Sequence, residues 1–306
     1  MSPVIACVGT AVLDHVYRVP SMPHGEGKHF ATSQADVGGG PAASAAVTIS
    51  RLGGTARFVG GLGNDAAGDE IIADLDAVGV DTRWVGRSAD RPSPTSAVII
   101  DDAGERMIIN HTAQSTMAGV EPLVVEAVFD ADAVLTDLRW AAGCEAALAT
   151  ATATSVPSIV DYDLTDVAAG EIALLLAGYV VFSAPALAAV TGTTDPVAGL
   201  RKVRKRSSAW LAVTAGAEGT TYLADEDAGH VPAFTVDVVD TLGAGDVFHG
   251  AFALAIGRGI APEQALIPAS AAAAIKCTRP GGRAGAPTRD ELITFMEEHG
   301  YGTDTW

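Results

Sequence analysis

Three small residues, Gly243, Ala244 and Gly245, stand where the chain is predicted to turn from a strand into a helix. Residues 234–239 before them are apolar and β-branched, as is typical of a strand, and residues 247–256 after them favour a helix. With so little side chain in the turn, successive backbone N–H groups can face a ligand, and the helix dipole adds positive charge there. The pattern therefore predicts a cradle for an anion.

Asp246 follows directly, at the edge of this predicted cradle, where its carboxylate would meet whatever the amides hold. A simpler interpretation is open, in which Asp246 only caps the helix and the glycines only form a tight turn. The preceding Asp240-Thr241 pair and the small residues of the following helix favour the chemical interpretation, because a plain turn requires neither. We therefore expect Asp246 to act on a bound anion.

Composition and charge narrow the class of protein. The 306-residue chain is 48% hydrophobic, which supports one large α/β domain with a sizeable core. Its 19 basic and 37 acidic residues give a net charge of −18, so the surface should repel nucleic acids and anionic membranes. We expect neither as a partner, and an anionic substrate must be held by a local basic site.

Cysteine usage and the first residues predict a cytoplasmic protein. Cys7, Cys144 and Cys277 lie far apart, without the spacing of a metal site, and are predicted to be buried thiols in a reducing compartment. The N-terminus lacks the basic start of a signal peptide, and Asp14 ends its apolar run early. No other apolar run is long enough to span a bilayer.

Strands and helices alternate along most of the chain. Strands are predicted at residues 4–8, 55–60, 133–137, 159–161, 179–182 and 211–214. The segments between them, such as the alanine-rich residues 42–52, favour helices. This alternation predicts an α/β fold with a doubly wound, mostly parallel sheet flanked by helices. Asp14 and Arg139 each follow a strand, which places them at the edge where such sheets bind ligands.

Two further regions carry strand-like patterns without helices. Residues 17–19 and 28–32 look like exposed strands, and residues 96–100 and 105–110 are joined by Asp101-Asp102-Ala103-Gly104, a hairpin sequence. Together they predict a small antiparallel sheet that stands apart from the main sheet.

A second glycine turn leaves another class of function open. Residues 61–66, Gly-Leu-Gly-Asn-Asp-Ala, follow a predicted strand and loosely match a dinucleotide-binding fingerprint, with Asp81 at a suitable distance. The match does not lie on the first strand, and an ordinary strand-to-helix turn is the competing interpretation. A nicotinamide-dependent oxidoreductase using the loop at Gly61 is therefore an alternative.

The stretch Asp240-Thr241-Leu242-Gly243-Ala244-Gly245-Asp246 resembles the signature of the PfkB, or ribokinase-like, family of carbohydrate kinases. The resemblance covers essentially the whole chain. It implies a single ribokinase-like kinase domain, residues 1–306, with a discontinuous β lid formed by about residues 14–36 and 94–113. It also implies that Asp246 is the catalytic base and that the preceding amides hold the phosphoryl group transferred from ATP. No Gly-x-x-x-x-Gly-Lys-Ser/Thr sequence occurs, so a P-loop enzyme is excluded.

The same resemblance implies further site residues. Gly38, Gly39 and Gly40 match the glycine motif beside the sugar, and Asp14 matches the carboxylate that holds sugar hydroxyls. The implied nucleotide-binding positions are Thr214, Gly216, Gly219, Gly243 and Gly245. In this family the lid closes over the sugar, and in many members it forms a homodimer.

The cofactor implied by the resemblance is Mg²⁺ with ATP. The family often carries an Asn-x-x-Glu segment that organises Mg²⁺ and its waters, but the aligned stretch here is Ser183-Ala184-Pro185-Ala186, with neither residue present. The sequence therefore names no protein ligand for Mg²⁺. The position of Asp240 is associated in the family with a monovalent cation such as K⁺.

Three side chains indicate which sugar the protein would bind. A negatively charged group at the end of the sugar could be bound by Arg139, Lys28 and Asn110. The arginine is well suited to this, because its guanidinium supplies forked hydrogen-bond donors. The stretches around Gly38 and Arg139, with residues 276–285, resemble the branch of the family that phosphorylates 6-deoxy-6-sulfofructose at its 1-hydroxyl in sulfoquinovose degradation. That resemblance implies that the three side chains hold the sulfonate. A kinase for another ketose such as fructose, and a non-catalytic sugar-binding relative, are the alternatives.

Overall fold

The computed structural model describes residues 2–111, 117–164, 167–224, 227–303 and 306. Its main sheet consists of β1 (Val4–Val8), β4 (Thr55–Gly63), β5 (Val85–Ser88), β8 (Ala133–Asp137), β9 (Ser158–Tyr162), β10 (Tyr179–Ser183), β11 (Trp210–Thr214), β12 (Thr220–Ala224) and β13 (Asp227–Val231). Their order across the sheet is β13-β12-β11-β10-β9-β8-β1-β4-β5. Only β12 runs antiparallel to its two neighbours, β11 and β13. The predicted doubly wound, mostly parallel sheet is confirmed.

Helices cover both faces of this sheet. They are α1 (Pro41–Arg51), α2 (Ala66–Ala77), α3 (Glu121–Phe129), α4 (Ala141–Thr154), α5 (Val167–Leu176), α6 (Ala184–Thr191), α7 (Pro196–Arg204), α8 (Ala244–Gly257), α9 (Pro262–Cys277) and α10 (Arg289–Glu298). Successive residues of β1 point to opposite faces: Ile5 and Cys7 join the core under α1, α8 and α9, whereas Ala6 and Val8 join the core under α3 and α4. Burial on both faces explains why these strands are apolar throughout.

The three cysteines are free thiols. Cys7 and Cys144 are buried as predicted, and burial raises the pKa of the Cys144 thiol to about 12. Cys277 is only partly buried, because it ends α9 beside a cavity. Within the described ranges, no helix has both the length and the apolarity needed to cross a bilayer.

The lid is a separate four-stranded sheet. It contains β2 (Val12–Val19), β3 (Ser33–Gly39), β6 (Thr95–Asp101) and β7 (Arg106–His111), in the order β3-β2-β6-β7. The predicted small sheet is present, but it is mixed rather than antiparallel, because β2 and β6 pair in parallel. The main-sheet strands that precede them, β1 before β2 and β5 before β6, both run parallel to β4, so β2 and β6 leave that sheet in the same direction. Residues 112 and 113 of the predicted lid lie outside the described residues.

Residues 234–239 do not form the predicted strand. The amides of Val239 and Asp240 instead donate to the carbonyl of Cys277 at 2.8 and 3.1 Å, so the end of α9 holds this segment. The sheet edge nearest in the chain is already formed by β13. The apolar side chains of the segment line a cavity, which explains their strand-like pattern without a strand.

The strand predicted at residues 28–32 is also wrong, since β3 begins at Ser33. Gly25 and Gly27 have φ angles of +72° and +143°, values that favour glycine and keep this part of the chain in a turn. Hydrogen bonding to β2 begins only where the Thr32 amide donates to the Arg18 carbonyl at 2.7 Å. Residues 28–31 therefore form an exposed loop.

Helices α1 and α8 approach each other closely at Gly250. A Cβ on Gly250 would lie 2.7 Å from the carbonyl oxygen of Ala45 and 2.9 Å from the Cβ of Thr48. Both contacts are shorter than real Cβ contacts, so a side chain here would push the helices apart. Their close approach also brings the Ser44 hydroxyl of α1 to the carboxylate of Asp246 on α8.

We predict that Gly250→Ala destabilises the protein. Replacing glycine by alanine inside an open helix normally stabilises it by about 1 kcal/mol, but here the clash should lower the free energy of unfolding by about 1–3 kcal/mol. Denaturant unfolding measures the difference. Gly302→Ala is the control, because a Cβ at Gly302 would meet no atom within 4 Å. A Gly250→Ala protein as stable as the parent would contradict the prediction.

Candidate active site

The glycine loop, residues 240–246, leads into the first turn of α8. Gly243 is the N-cap of this helix, with a φ of +75° that favours glycine. The Ala244 amide donates to the carbonyl three residues before it at 3.2 Å, whereas the amides of Gly245 and Asp246 lie in the first turn, where a helix has no carbonyl to receive them. A Cβ on Gly245 would meet no atom within 4 Å. This geometry fits the predicted anion cradle, with the Gly245 and Asp246 amides as its freest donors.

The carboxylate of Asp246 has an unusual electrostatic environment. Burial, assisted by the neighbouring Asp161 carboxylate, raises the pKa of Asp246 to about 7. The charges of His249 and Arg139 and the hydroxyl of Ser44 act in the opposite direction. A carboxylate with a pKa near neutrality is well suited to take up a proton during a reaction.

His249 and Asp161 both act electrostatically on this carboxylate. The buried His249 ring lies one turn after the loop, with Nδ1 2.8 Å from the Gly245 carbonyl oxygen and Nε2 3.5 Å from Asp161 Oδ1. Nε2 also lies 3.4 Å from the Val181 carbonyl oxygen, so both ring nitrogens have partners within the protein. The sequence reasoning missed both residues, although His249 stands three positions after Asp246 and so on the same side of the helix.

A cavity of about 540 Å³ opens against the glycine loop. The predicted nucleotide positions Thr214, Gly216 and Gly219 line it together with Ala244 and Gly245. Its apolar walls include side chains that the sequence reasoning did not assign to a site, namely Phe234, Val236, Val238, Phe248, Ala273 and Ala274. Four of the five predicted nucleotide residues therefore line one cavity, of a size typical of small-molecule sites, whereas Gly243 is not part of its lining.

Three polar side chains stand opposite one another on adjacent lid strands. Asp14, Ser96 and Asn110 are in register across β2, β6 and β7. The Ser96 hydroxyl lies 2.7 Å from Asn110 Oδ1 and also hydrogen-bonds the Asp14 carboxylate. Burial raises the pKa of Asp14, against the opposing effects of Ser96 and of the Arg283 charge. Because the same face carries the buried Val98, this row faces the protein and joins two predicted substrate residues.

The predicted sugar motif, Gly38, Gly39 and Gly40, leads from β3 into α1. A Cβ on Gly38 would lie 1.9 Å from the Arg283 guanidinium, and one on Gly39 would lie 2.2 Å from the Asp14 carboxylate. Arg283 is buried and donates to the Gly39 carbonyl at 3.2 Å. Any side chain at Gly38 or Gly39 would therefore clash with Arg283 or Asp14. The sequence reasoning gave Arg283 no role in the site, because this contact joins residues 244 positions apart.

Arg139 lies just beyond β8, within electrostatic reach of Asp246. Its guanidinium donates to Asp163 at 3.2 Å, and the other oxygen of Asp163 accepts from the Ser183 hydroxyl at 2.8 Å. The Arg139 side chain is 42% exposed, so this ion pair is weak and can be exchanged for a ligand anion. Lys28 lies in the exposed loop before β3, and no contact between described residues connects it with the other predicted substrate residues.

Asp240, at the start of the glycine loop, is paired within the chain. Its Oδ1 accepts from the Leu242 amide at 2.8 Å, and the Lys276 ammonium lies 3.2 Å from its Oδ2. Burial alone would raise the pKa of Asp240, but the Leu242 amide and the Lys276 charge hold it below its ordinary value. The residues present do not fit the monovalent cation implied at Asp240, because an ammonium group already lies there.

Among the described residues, protein side chains alone do not form a site for Mg²⁺. In the part of the chain that the structure describes, no three His, Cys, Asp or Glu side chains are grouped so that they could hold a metal ion. Ser183, aligned with the missing asparagine, instead caps α6 by accepting from the Ala186 amide. Mg²⁺ commonly binds through nucleotide phosphates, waters and only one or two carboxylates. The site therefore fits Mg²⁺ that enters with a nucleotide.

In the second glycine turn, residues 61–66, hydrogen bonds within the protein already engage the polar groups. Asp65 caps α2 by accepting from the Gly68 amide at 2.9 Å, and it also accepts from the Ser93 amide and hydroxyl at 2.8 and 2.6 Å. Asp81 accepts from Arg83 and Trp84. These bonds leave the oxidoreductase alternative without a phosphate site at Gly61.

Known proteins resemble this chain over nearly its full length. Residues 3–289 match the model of the pfkB family carbohydrate kinases. The ATP-dependent ribose-1-phosphate kinase of Halopiger xanaduensis is 30% identical, with 93% of this chain and 95% of that protein aligned. The fructokinase of Vibrio alginolyticus is 27% identical over 84% of this chain and 91% of that protein. The crystal structure of a candidate ribokinase from Agrobacterium tumefaciens, 36% identical, matches with a TM-score of 0.88 over 98% of this chain and 99% of the other.

These similarities agree with the glycine loop, the cavity and the lid, and they exclude the oxidoreductase alternative. The chain belongs to the PfkB family of carbohydrate kinases, phosphotransferases that use ATP and an alcohol acceptor, and it has their ribokinase-like fold.

Proposed function

We propose that the protein phosphorylates the 1-hydroxyl of 6-deoxy-6-sulfofructose, giving 6-deoxy-6-sulfofructose 1-phosphate. The observation that carries the reaction is the position of Asp246, in the first turn of α8 next to the open amides of the glycine loop. The observation that favours an anionic sugar is the half-exposed Arg139 at the same edge of the sheet.

The reaction needs positioning and charge stabilisation rather than covalent catalysis. Asp246 accepts the proton of the sugar hydroxyl, whose oxygen attacks the γ-phosphorus of ATP while the bond to the β-phosphate oxygen breaks. The Gly245 and Asp246 amides, with Gly243 and Ala244 shaping the loop, hold the γ-phosphoryl oxygens. Mg²⁺ bound with ATP would offset the charge of the phosphates.

The lid closes this site from above. Arg106 of β7 donates to the Thr241 hydroxyl of the glycine loop at 3.0 Å, so the lid and the loop meet directly. Asp14 on the inner face of the lid would bind sugar hydroxyls, with the Gly39 and Gly40 backbone beside it. The nucleotide would lie in the cavity along Thr214, Gly216 and Gly219.

The sulfonate would bind to Arg139, Asn110 and Lys28. In a chain of net charge −18, an anionic end group needs such local donors. Arg139 can leave Asp163 at little cost, Asn110 lies on the inner lid face, and the exposed Lys28 loop would have to fold over the sugar. The Halopiger relative is named for ribose 1-phosphate, itself an anionic sugar.

Fructose is the alternative substrate. The Vibrio alginolyticus relative is named a fructokinase, and a neutral ketose would need only Asp14 and the glycine motif. The remaining alternative, a sugar-binding relative without catalysis, is disfavoured because Asp246 and the open loop amides are all present.

We predict that ATP turnover depends on an ionised Asp246. Since its pKa is about 7, kcat/KM should level off above that pH and fall about tenfold per unit below it. Above pH 7, Asp246→Asn should lower kcat by about 10²–10⁴-fold, and its rate should lack this fall at lower pH. Steady-state kinetics across a pH series measure both effects.

The control is Asp237→Asn, which removes an exposed carboxylate outside the loop and should leave both the rate and the pH profile unchanged. Circular dichroism verifies that the variants are folded. A folded Asp246→Asn protein with parental turnover would exclude this residue as the base.

We predict that Arg139→Ala lowers kcat/KM for sulfofructose about 10- to 100-fold, because a hydrogen bond to a charged group is lost. Turnover of fructose should change little at a pH well above 7, where Asp246 is ionised even without the Arg139 charge, because fructose carries no anionic group. A panel of sulfofructose, fructose, fructose 6-phosphate and ribose, assayed with Mg·ATP, measures the difference.

Arg206→Ala is a matched control, because Arg206 is also 42% exposed and pairs with Glu171 on the surface at 2.9 Å. Parental enzyme that prefers fructose or fructose 6-phosphate would overturn the sulfofructose assignment. Equal losses on fructose and sulfofructose in Arg139→Ala would argue against a sulfonate contact.

We also propose a homodimer formed through the lid. The outer lid face carries Tyr17, Met107 and Ile109, which are 38%, 40% and 60% exposed, and β7 is an edge strand. Phe30, in the loop before β3, is 82% exposed. Exposed apolar side chains grouped in this way are typical of a face that a partner covers.

Ile109→Glu should therefore convert a dimer into a monomer, because a charge would be buried without a partner. Light scattering coupled to size-exclusion chromatography measures the mass. Leu175→Glu is the control, since Leu175 is 69% exposed on α5, away from the lid. A parental chain that is monomeric at micromolar concentration would contradict the proposal.

A further inference from the structure

Lys276 is a fully buried lysine beside the glycine loop. It lies in the last turn of α9 with 0% of its surface exposed. Its Nζ donates to the backbone carbonyl of Asp240 at 2.7 Å and lies 3.2 Å from the carboxylate of the same residue. A buried ammonium is costly unless it is paired, so the role of its two contacts with Asp240 has to be explained.

The surrounding hydrogen bonds leave no oxygen of Asp240 without a donor. Oδ1 accepts from the Leu242 amide at 2.8 Å, and Oδ2 accepts from the amides of Gly281 and Gly282 at 3.1 and 3.4 Å. The nearby carbonyl of Cys277 already accepts two amides, those of Val239 and Asp240. An alkali cation needs several oxygens to replace its water shell. At Asp240 the backbone carbonyl and Oδ2 both contact the Lys276 ammonium, so the position of a cation is taken and the positive charge present belongs to the chain.

We propose that Lys276 is a built-in replacement for a bound monovalent cation, so that the enzyme works without K⁺. The ammonium neutralises Asp240 at one end of the glycine loop and ties that end to α9, which keeps the loop in shape for an incoming phosphoryl group. Lys276 is thus a positioning residue that acts through Asp240. The inference rests on the kinase activity of the proposed function and not on which sugar is phosphorylated.

The first test uses the parental enzyme, Mg·ATP and the sugar with the highest turnover in the substrate panel. Activity is measured in KCl, NaCl, CsCl and choline chloride at a constant ionic strength of about 0.1 M. We expect the same kcat/KM in all four salts. A loss of about tenfold or more in choline chloride, reversed by KCl, would overturn the proposal.

The second test removes the ammonium. Lys276→Met should lose about tenfold or more in kcat/KM in choline chloride and recover in KCl or ammonium chloride, because an external cation can then reach Asp240. Lys202→Met is the matched control: Lys202 also donates its Nζ to a carbonyl, that of Thr191, at 2.9 Å, but on the surface. A folded Lys276→Met protein that no monovalent cation rescues would overturn the replacement role.

Thermal unfolding gives a readout that does not require turnover. KCl should raise the midpoint of Lys276→Met relative to choline chloride and leave the parental midpoint unchanged. If no sugar is phosphorylated, the kinase assignment fails, but these midpoints still test the cation replacement. Lys276→Gln keeps a polar group of similar length and substitutes for Lys276→Met if the latter does not fold. A parental midpoint raised specifically by K⁺ would contradict the inference.

Discussion

The first turns of α1 and α8 meet at the carboxyl edge of the main sheet. Ser44 of α1 reaches Asp246 of α8, and the close contact at Gly250 fixes the distance between the two helices. Asp137, at the end of β8, accepts from the amides of Thr10 and Ala42 and so ties α1 to the sheet. Two positive helix ends are therefore directed at one space. The positions of the glycine loop, of Gly38–Gly40 and of the Asp246 carboxylate all depend on this convergence.

The same convergence concentrates negative charge. In addition to burial, the charge of Asp161 raises the pKa of Asp246, and that of Asp137 raises the pKa of Asp161, in a chain that is strongly acidic overall. His249 lies next to Asp161 and acts in the opposite direction on the pKa of both Asp161 and Asp246. Burial and repulsion raise the pKa of Asp246, a cost in stability of the kind that active sites often carry. Arg139, Arg283 and Lys276 then offset this charge at separate points around the site.

The sequence predicted those parts of the site whose residues are neighbours in the chain. Gly243–Asp246 and Gly38–Gly40 are local motifs, and the alternation of buried strands and helices predicted the main sheet. Residues 234–239 were mistaken for a strand because a segment that lines a cavity and a segment that joins a sheet can show the same apolar pattern. The parallel pairing of β2 with β6 depends on the intervening β4–α2–β5 unit, which no local pattern specifies.

The residues that the sequence reasoning missed act across long separations. His249 meets Asp161 from another element, and Lys276 reaches back to Asp240 from the end of α9. Apart from the spacing of His249 from Asp246, nothing in their local sequence distinguishes them from ordinary polar residues. Asp14 and Asn110 were selected by resemblance, and in the structure they share one cross-strand row through Ser96, a residue that the sequence did not single out.

The contact between Arg283 and Gly39 spans 244 positions and has a consequence for biosynthesis. A ribosome makes Gly39 well before Arg283, the arginine that packs against it, which follows 244 positions later. The glycine segment therefore lacks this contact while the intervening residues are added, at about 5–20 residues per second. The surroundings of Gly39 are complete only once Arg283 packs against it, so a nascent chain released earlier would lack this contact.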